Sequence, residues 1–256
     1  MQETIIYTIV SVILVSLVSF IGVLTLVFKK EKLHHLLLSL VSLSVGTLLG
    51  GAFLHLLPEA VEIAGSFSKS ISLIILSGIL CFFFLDKLIH WRHSHSHLSH
   101  VHKGEKNNKS MVPLNLLGDA VHNFLDGLLI AGSYIVSIPT GIATTFAVIV
   151  HEAPQEIADF GVLLYSGLST KRALFYNFLS ALFAVIGAVI GLALSTSSQT
   201  FTFLIIPFAA GSFIYIAGSN LIPEILNKGQ GVKQFIYQLV MFVLGIAIMY
   251  GLLFLE

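Results

Sequence analysis

Eight apolar runs, each long enough to cross a bilayer, divide this chain: residues 4–28, 33–57, 71–90, 111–138, 141–164, 173–194, 201–226 and 234–255. A hydrocarbon layer about 30 Å thick takes roughly 20 apolar residues in helical form. Backbone N–H and C=O groups find no water there, so each run must satisfy its own as an α-helix. The expected fold is therefore all-α, a polytopic membrane protein of eight transmembrane helices forming one domain over residues 1–256. Charged residues are 10% of the chain and hydrophobic ones 56%, against about 25% charged in a soluble domain. Zero net charge says nothing about nucleic acid, but no basic patch points to it, so no nucleic-acid partner is expected. Cys81 is the single cysteine, so no disulfide closes within the chain. The start, Met1-Gln2-Glu3, lacks the positive stretch of a cleaved signal, so the first run is expected to remain as a span.

Basic residues orient the spans. Lys29, Lys30 and Lys32 lie between spans 1 and 2, and Lys87, Arg92, Lys103, Lys106 and Lys109 at or between spans 3 and 4. Lys171 and Arg172 join spans 5 and 6, and Lys228 and Lys233 join 7 and 8. Lys69 is the exception among the 13 Lys and Arg. With eight spans in a cell or inner membrane, both termini then face outside and the long third connector, about 91–110, is cytoplasmic. That connector holds His90, His93, His95, His97, His100 and His102. Unprotonated imidazoles at this density make a weak, exchanging metal-binding tract, with His93, His95, His97, His100 and His102 as loop ligands.

Spans 4 and 5 break the apolar pattern. From Ser110 to Thr170 there is no Lys or Arg, yet the segment holds Asp119, Asp126, Glu152, Glu156, Asp159 and two histidines. Ionisable groups at membrane depth cost roughly 2.5–3.5 kcal/mol each on insertion scales, so something must neutralise these acids. Protons, a metal cation, or a Lys or Arg from another segment are the candidates. At 100° per residue, Asp119, His122, Asn123 and Asp126 fall within about a 100° arc of one helix. His151, Glu152, Gln155, Glu156 and Asp159 fall within about a 140° arc of the next. Two such stripes have to face each other or a wet cavity. Imidazole, carboxylate and carboxamide form a donor set suited to Zn, Fe(II) or Mn. The reading is an intramembrane divalent-metal site. Taken singly, Asn123, Gln155, Asn177 or Ser180 is read equally well as a hydrogen bond between helices.

A weak internal repeat adds to this. Gly46 precedes Pro58-Glu59 by twelve residues, and Gly211 precedes Pro223-Glu224 by twelve, with His55 and Asn220 at matching positions. Spans 2 and 7 run in opposite directions, so spans 1–3 and 6–8 are expected to form an inverted repeat around spans 4–5.

Three functions compete. A transporter is the first. A membrane metalloprotease is the second, because His151-Glu152 opens a near match to H-E-x-x-H, although Gln155 stands at the fifth position. A non-transporting metal sensor is the third. Catalysis is not expected.

His122-Asn123-Phe124-Leu125-Asp126-Gly127, His151-Glu152-Ala153-Pro154-Gln155-Glu156-Ile157-Ala158-Asp159-Phe160, Leu54-His55-Leu56-Leu57-Pro58-Glu59-Ala60 and Ala210-Gly211-Ser212-Phe213-Ile214-Tyr215-Ile216-Ala217, with the His-rich connector, resemble the ZIP family (Zrt- and Irt-like metal transporters), in particular its histidine-rich branch. The resemblance runs from span 2 onward. It implies eight spans with outward termini and import of divalent metal, chiefly zinc, into the cytosol. It also implies a homodimer in the lipid bilayer and a two-metal centre between spans 4 and 5. His122, His151 and Gln155 would form one metal site, and Asn123, Asp126 and Glu152 the other. Glu156 is taken as a further ligand, and His55, Asp119, Asp159 and Asn177 as accessory or access residues. Spans 1, 4, 5 and 6 would move against 2, 3, 7 and 8. In alternating access, Pro154 would ease the rearrangement by removing a hydrogen bond to Val150. Gln155 replaces the branch's usual second His, which is expected to widen the range toward Fe, Mn or Cd. Gly51 replaces an Asp usual beside Gly50.

Overall fold

The computed structural model describes residues 2–27, 30–98, 111–195, 199–228 and 231–255. Among these the chain forms eight helical rods. α1 is Gln2–Val18, carried on by a tighter turn, Ser19–Val23, into Leu24–Val27. α2 is Lys30–Gly50, continued by a wide π-turn, Gly51–Leu56, and by Leu57–Ala64. α3 is Lys69–Leu98, α4 Met111–Val136 and α5 Ile138–Tyr165. α6 is Thr170–Ala181 with Phe183–Ser195. α7 is Gln199–Tyr215, continued by a second π-turn, Ile216–Leu221, and by Ile222–Lys228. α8 is Val232–Leu252, closed by Leu253–Leu255.

The protein is an all-α polytopic membrane protein. Six of the described helices are long and apolar enough to cross a membrane: Gln2–Val23, His35–Ala64, Lys69–Lys87, Thr170–Leu194, Thr200–Leu221 and Val232–Leu252. The other two long rods, α4 and α5, carry the acids and histidines. Outward faces are apolar, as at Leu73, Phe235 and Val240, while Val45, Leu48, Ala147 and Phe213 are sealed inside.

Helix ends follow local chemistry. Ser137 caps α5, its hydroxyl accepting the Thr140 N–H at 3.1 Å, with Pro139 in the first turn. Gly65 ends α2 at φ 74°, a conformation that only glycine adopts without strain.

Two expected ends differ. Span 2 was expected to end at residue 57, before Pro58, but its helix continues to Ala64, whereas span 7 runs through Pro223 as its expected bounds, 201–226, allow. A proline lacks an N–H and crowds the carbonyl four residues back. In each rod a π-turn lies immediately upstream and widens the ladder to receive the ring. The third connector also begins later than residue 91. Nothing between Ile89 and Leu98 breaks a helix, and the first glycine is Gly104, so α3 runs to Leu98. His93, His95 and His97 therefore lie on that helical end, while His100 and His102 lie outside the described residues.

The rods pack in two groups. α4 lies against α6, α5 and α1, while α2 pairs with α8 and α3 with α7. The groups meet where α2 touches α5 and α7 touches α4. One close contact occurs twice. A Cβ on Gly46 of α2 would collide with the Phe242 carbonyl of α8, and one on Gly211 of α7 with the Ile75 carbonyl of α3. Reciprocally, Gly245 faces the Leu43 carbonyl and Gly78 the Phe208 carbonyl, each three residues before the matched glycine. Small residues that let backbones touch are the usual way helices associate in lipid.

Candidate metal centre

The polar stripes of α4 and α5 face each other. His151 and Asp126 have side chains fully buried, and Glu152 is 1% exposed. His122 is the partial exception, at 16%. His122 Nε2 lies 3.2 Å from Glu152 Oε1 and 3.8 Å from Asp126 Oδ2. His151 Nε2 lies 3.3 Å from Asp126 Oδ2 and 3.6 Å from Glu152 Oε1. The two Nε2 atoms are 3.4 Å apart. Zinc at about 2.0–2.1 Å from each of four tetrahedral ligands sets ligand separations of about 3.3–3.4 Å. Five edges of this four-atom figure thus match a tetrahedral zinc shell within a few tenths of an ångström.

The chemistry fits as well. His151 Nδ1 is 3.0 Å from the Ala147 carbonyl, which can only accept, so Nδ1 donates its N–H there and Nε2 is the nitrogen turned to the cluster. Two carboxylates balance a dication, and among the described residues no Lys or Arg pairs with Asp126 or Glu152. Phe82 of α3 meets the His122 ring edge-on at 5.6 Å, and Phe213 of α7 meets His151 at 5.9 Å. Apolar rings there limit water and strengthen charge interactions among the donors. Phe213 lay within a run that carried the resemblance, but nothing in the sequence placed it or Phe82 beside the histidines.

A second group adjoins the first through Glu152, with Asp119 and Glu156 as its other members. Asp119 accepts hydrogen bonds from Ser180 of α6 and, at 2.8 Å, from Asn123 Nδ2. Asn177 Nδ2 donates to Glu156 Oε2 at 2.5 Å. The Oδ1 atoms of Asn123 and Asn177, Oε1 of Glu156 and Oε1 of Gln155 are buried without hydrogen-bond partners among the described residues. These are oxygen donors with unused lone pairs. The structure therefore gathers His122, His151, Asp126 and Glu152 in one cluster, which cuts across the division that the resemblance implied. Asn123 and Gln155 stand beside it.

Gln155 and Asp159 share a wall with His122, Asp119 and Asp86 in a cavity of about 310 Å³. His55 stands apart, its Nε2 2.8 Å from the Met249 carbonyl of α8. A side chain on Gly51 would project toward Ala147, Phe213 and Met249, so apolar atoms surround that position.

The chain is thus an all-helical membrane protein whose buried His/Asp/Glu cluster could hold a metal ion. The family model described as ZIP Zinc transporter matches residues 4–115 and 107–253. The chain belongs to the ZIP family. It is similar to Zinc transporter ZIP10 of Homo sapiens, 39% identical over 173 residues, covering 62% of this chain and 21% of that protein. Zinc transporter YKE4 of Saccharomyces cerevisiae is 33% identical over 251 residues, covering 86% of this chain and 72% of that protein. Zinc transporter ZIP13 of Pongo abelii is 33% identical over 225 residues, covering 82% and 65%. The chain thus spans about a fifth of the human relative and most of the yeast one.

Proposed function

We propose that this chain is a divalent-metal importer that carries zinc across the membrane through the α4–α5 centre. The observation that carries the proposal is the near-tetrahedral set of His122 Nε2, His151 Nε2, Asp126 Oδ2 and Glu152 Oε1. Glu156, Asp119, Asn123 and Asn177 line a second, oxygen-rich position beside it, and Gln155 borders both. Such oxygen donors suit harder ions, which supports a range extending to Fe or Mn. A resident zinc protease fits less well. Its general base has to stand off the metal, whereas Glu152 Oε1 lies within the donor cluster itself.

Eight spans follow if α4 and α5 cross the membrane with the other six, and the duplicated Gly46/Gly211 contacts support an inverted repeat of spans 1–3 and 6–8. Basic connectors put both termini outside and the His-rich connector in the cytoplasm. The cavity beside His122 reaches Asp86 of α3 and Asn115 near the start of α4, the end of α4 that follows that connector. It supports release of metal inward, with the histidines as first receivers. The functional unit is a homodimer, as in the resemblance.

Zinc uptake into sealed proteoliposomes containing the purified chain tests this. The proposal expects saturable uptake above that of empty vesicles. Uptake no faster than the empty vesicles would reject it.

A further inference from the structure

Pro154 stands inside α5 without an N–H, so the carbonyl of Val150 loses its partner within the helix. The turn is sealed. Val150 is 9% exposed, Ala153 7% and His151 not at all. Lipid and packed side chains offer no water to such a carbonyl. The donor comes from another helix: Ser44 Oγ of α2 donates to Val150 O at 2.8 Å.

The same hydroxyl lies 2.7 Å from the Leu40 carbonyl, one turn back in α2. Ser39 and Ser42 make that backward bond too, to His35 and Leu38. Ser44 differs from them by reaching a second carbonyl across the helix boundary. A hydroxyl has one proton, so the two carbonyls share or compete for it. Ser44 is fully buried.

Val150 directly precedes His151. The His151 ring is held through Nδ1 to Ala147 O, so residues 147 to 151 form the turn that aims Nε2 at the cluster. We propose that Ser44 is a positioning residue for the metal centre: its hydroxyl replaces the missing Pro154 N–H and fixes the turn that presents His151. It does so from α2, across the boundary between the two helix groups. A shift of α5 past α2 would return the proton to Leu40 and free the turn.

The test compares the purified full chain with Ser44→Ala, Pro154→Ala and the double variant, in detergent. Zinc affinity by titration calorimetry and the thermal unfolding midpoint are read for each. The affinity readout rests on the zinc reading above; the unfolding midpoint does not. Ser44→Ala is expected to weaken zinc binding about tenfold, the low end of losses at outer-sphere partners, and to lower the midpoint by several degrees. Pro154→Ala restores an N–H to Val150, so the double variant should match Pro154→Ala within about twofold in affinity and share its midpoint. Equal losses in both backgrounds, or none in either, would overturn the proposal. So would a lowered midpoint with unchanged zinc affinity, which would leave Ser44 a purely structural role. If Ser44→Ala does not fold, recovery in the double variant supports the proposal and failure to recover overturns it. If the parent binds no zinc, the function proposed above falls, and additive losses in the midpoints would still sink the Ser44–Val150 pairing.

Discussion

Glu152 Oε1 stands 3.6 Å from His151 Nε2 on its own helix and 3.2 Å from His122 Nε2 across the α4–α5 boundary, so one carboxylate oxygen lies between the two imidazoles. Removing either His122 or Glu152 takes away one of four donors and leaves the others unbalanced. His122→Ala and Glu152→Ala should each weaken zinc binding by more than the 10–100-fold typical of an outer partner and abolish flux. The protein should still insert. Parent-rate transport by both variants in proteoliposomes would show that the cluster is not on the path.

Gln155 lies one turn after His151, with its Oε1 buried and without a hydrogen-bond partner among the described residues. Imidazole is the better zinc donor. Gln155→His should lower the apparent Km for zinc, leave the maximal rate equal or lower, and raise the preference for zinc over Mn. A carrier has to release its ion, so tighter holding without an equal gain at the barrier slows turnover. Uptake kinetics with both ions decide this. An unchanged Km and an unchanged zinc-to-Mn ratio would mean that Gln155 does not touch the metal.

The Gly211 contact with the Ile75 carbonyl leaves no room for a side chain, whereas among the described residues nothing beyond its own helix lies within 4 Å of a Cβ on Gly218. Gly211→Val should cost about 1–3 kcal/mol or more through overpacking. Gly218→Ala should stay within about 0.5 kcal/mol of the parent. Thermal unfolding of the two variants provides the comparison, and equal midpoints would refute the reading of the α3–α7 seam.

The His-rich tract has no ligand spacing that specifies a closed site. Deleting residues 93–108 should leave transport measurable while changing its apparent affinity or its response to cytosolic zinc. Complete loss of flux in a folded deletion variant would place the tract on the conduction path.

Much of this was legible in the sequence because lipid enforces it. The apolar runs match the rods, and the 3.6-residue period of Asp119, His122 and Asp126 and of His151, Gln155 and Asp159 placed the polar stripes on facing helices. The continuation through Pro58 was not legible, since a proline at the edge of an apolar run reads as a stop unless a π-turn upstream accommodates it. Nor was the grouping of His122 with Glu152, which depends on how far α4 is slid along α5 and is not written in either helix alone. Ser44 is one of three serines within six residues of α2, and only the packed structure separates it from Ser39 and Ser42. Asn177 and Ser180 showed as polar residues within reach; their partners, Glu156 and Asp119, required the α5–α6 and α4–α6 packing.

The most direct measurement is X-ray absorption at the zinc edge on the zinc-loaded full chain. The account predicts four light-atom neighbours averaging about 2.0–2.1 Å, with outer-shell scattering from two imidazoles that falls to one in His151→Ala. Six oxygen neighbours without imidazole scattering in the parent would contradict it.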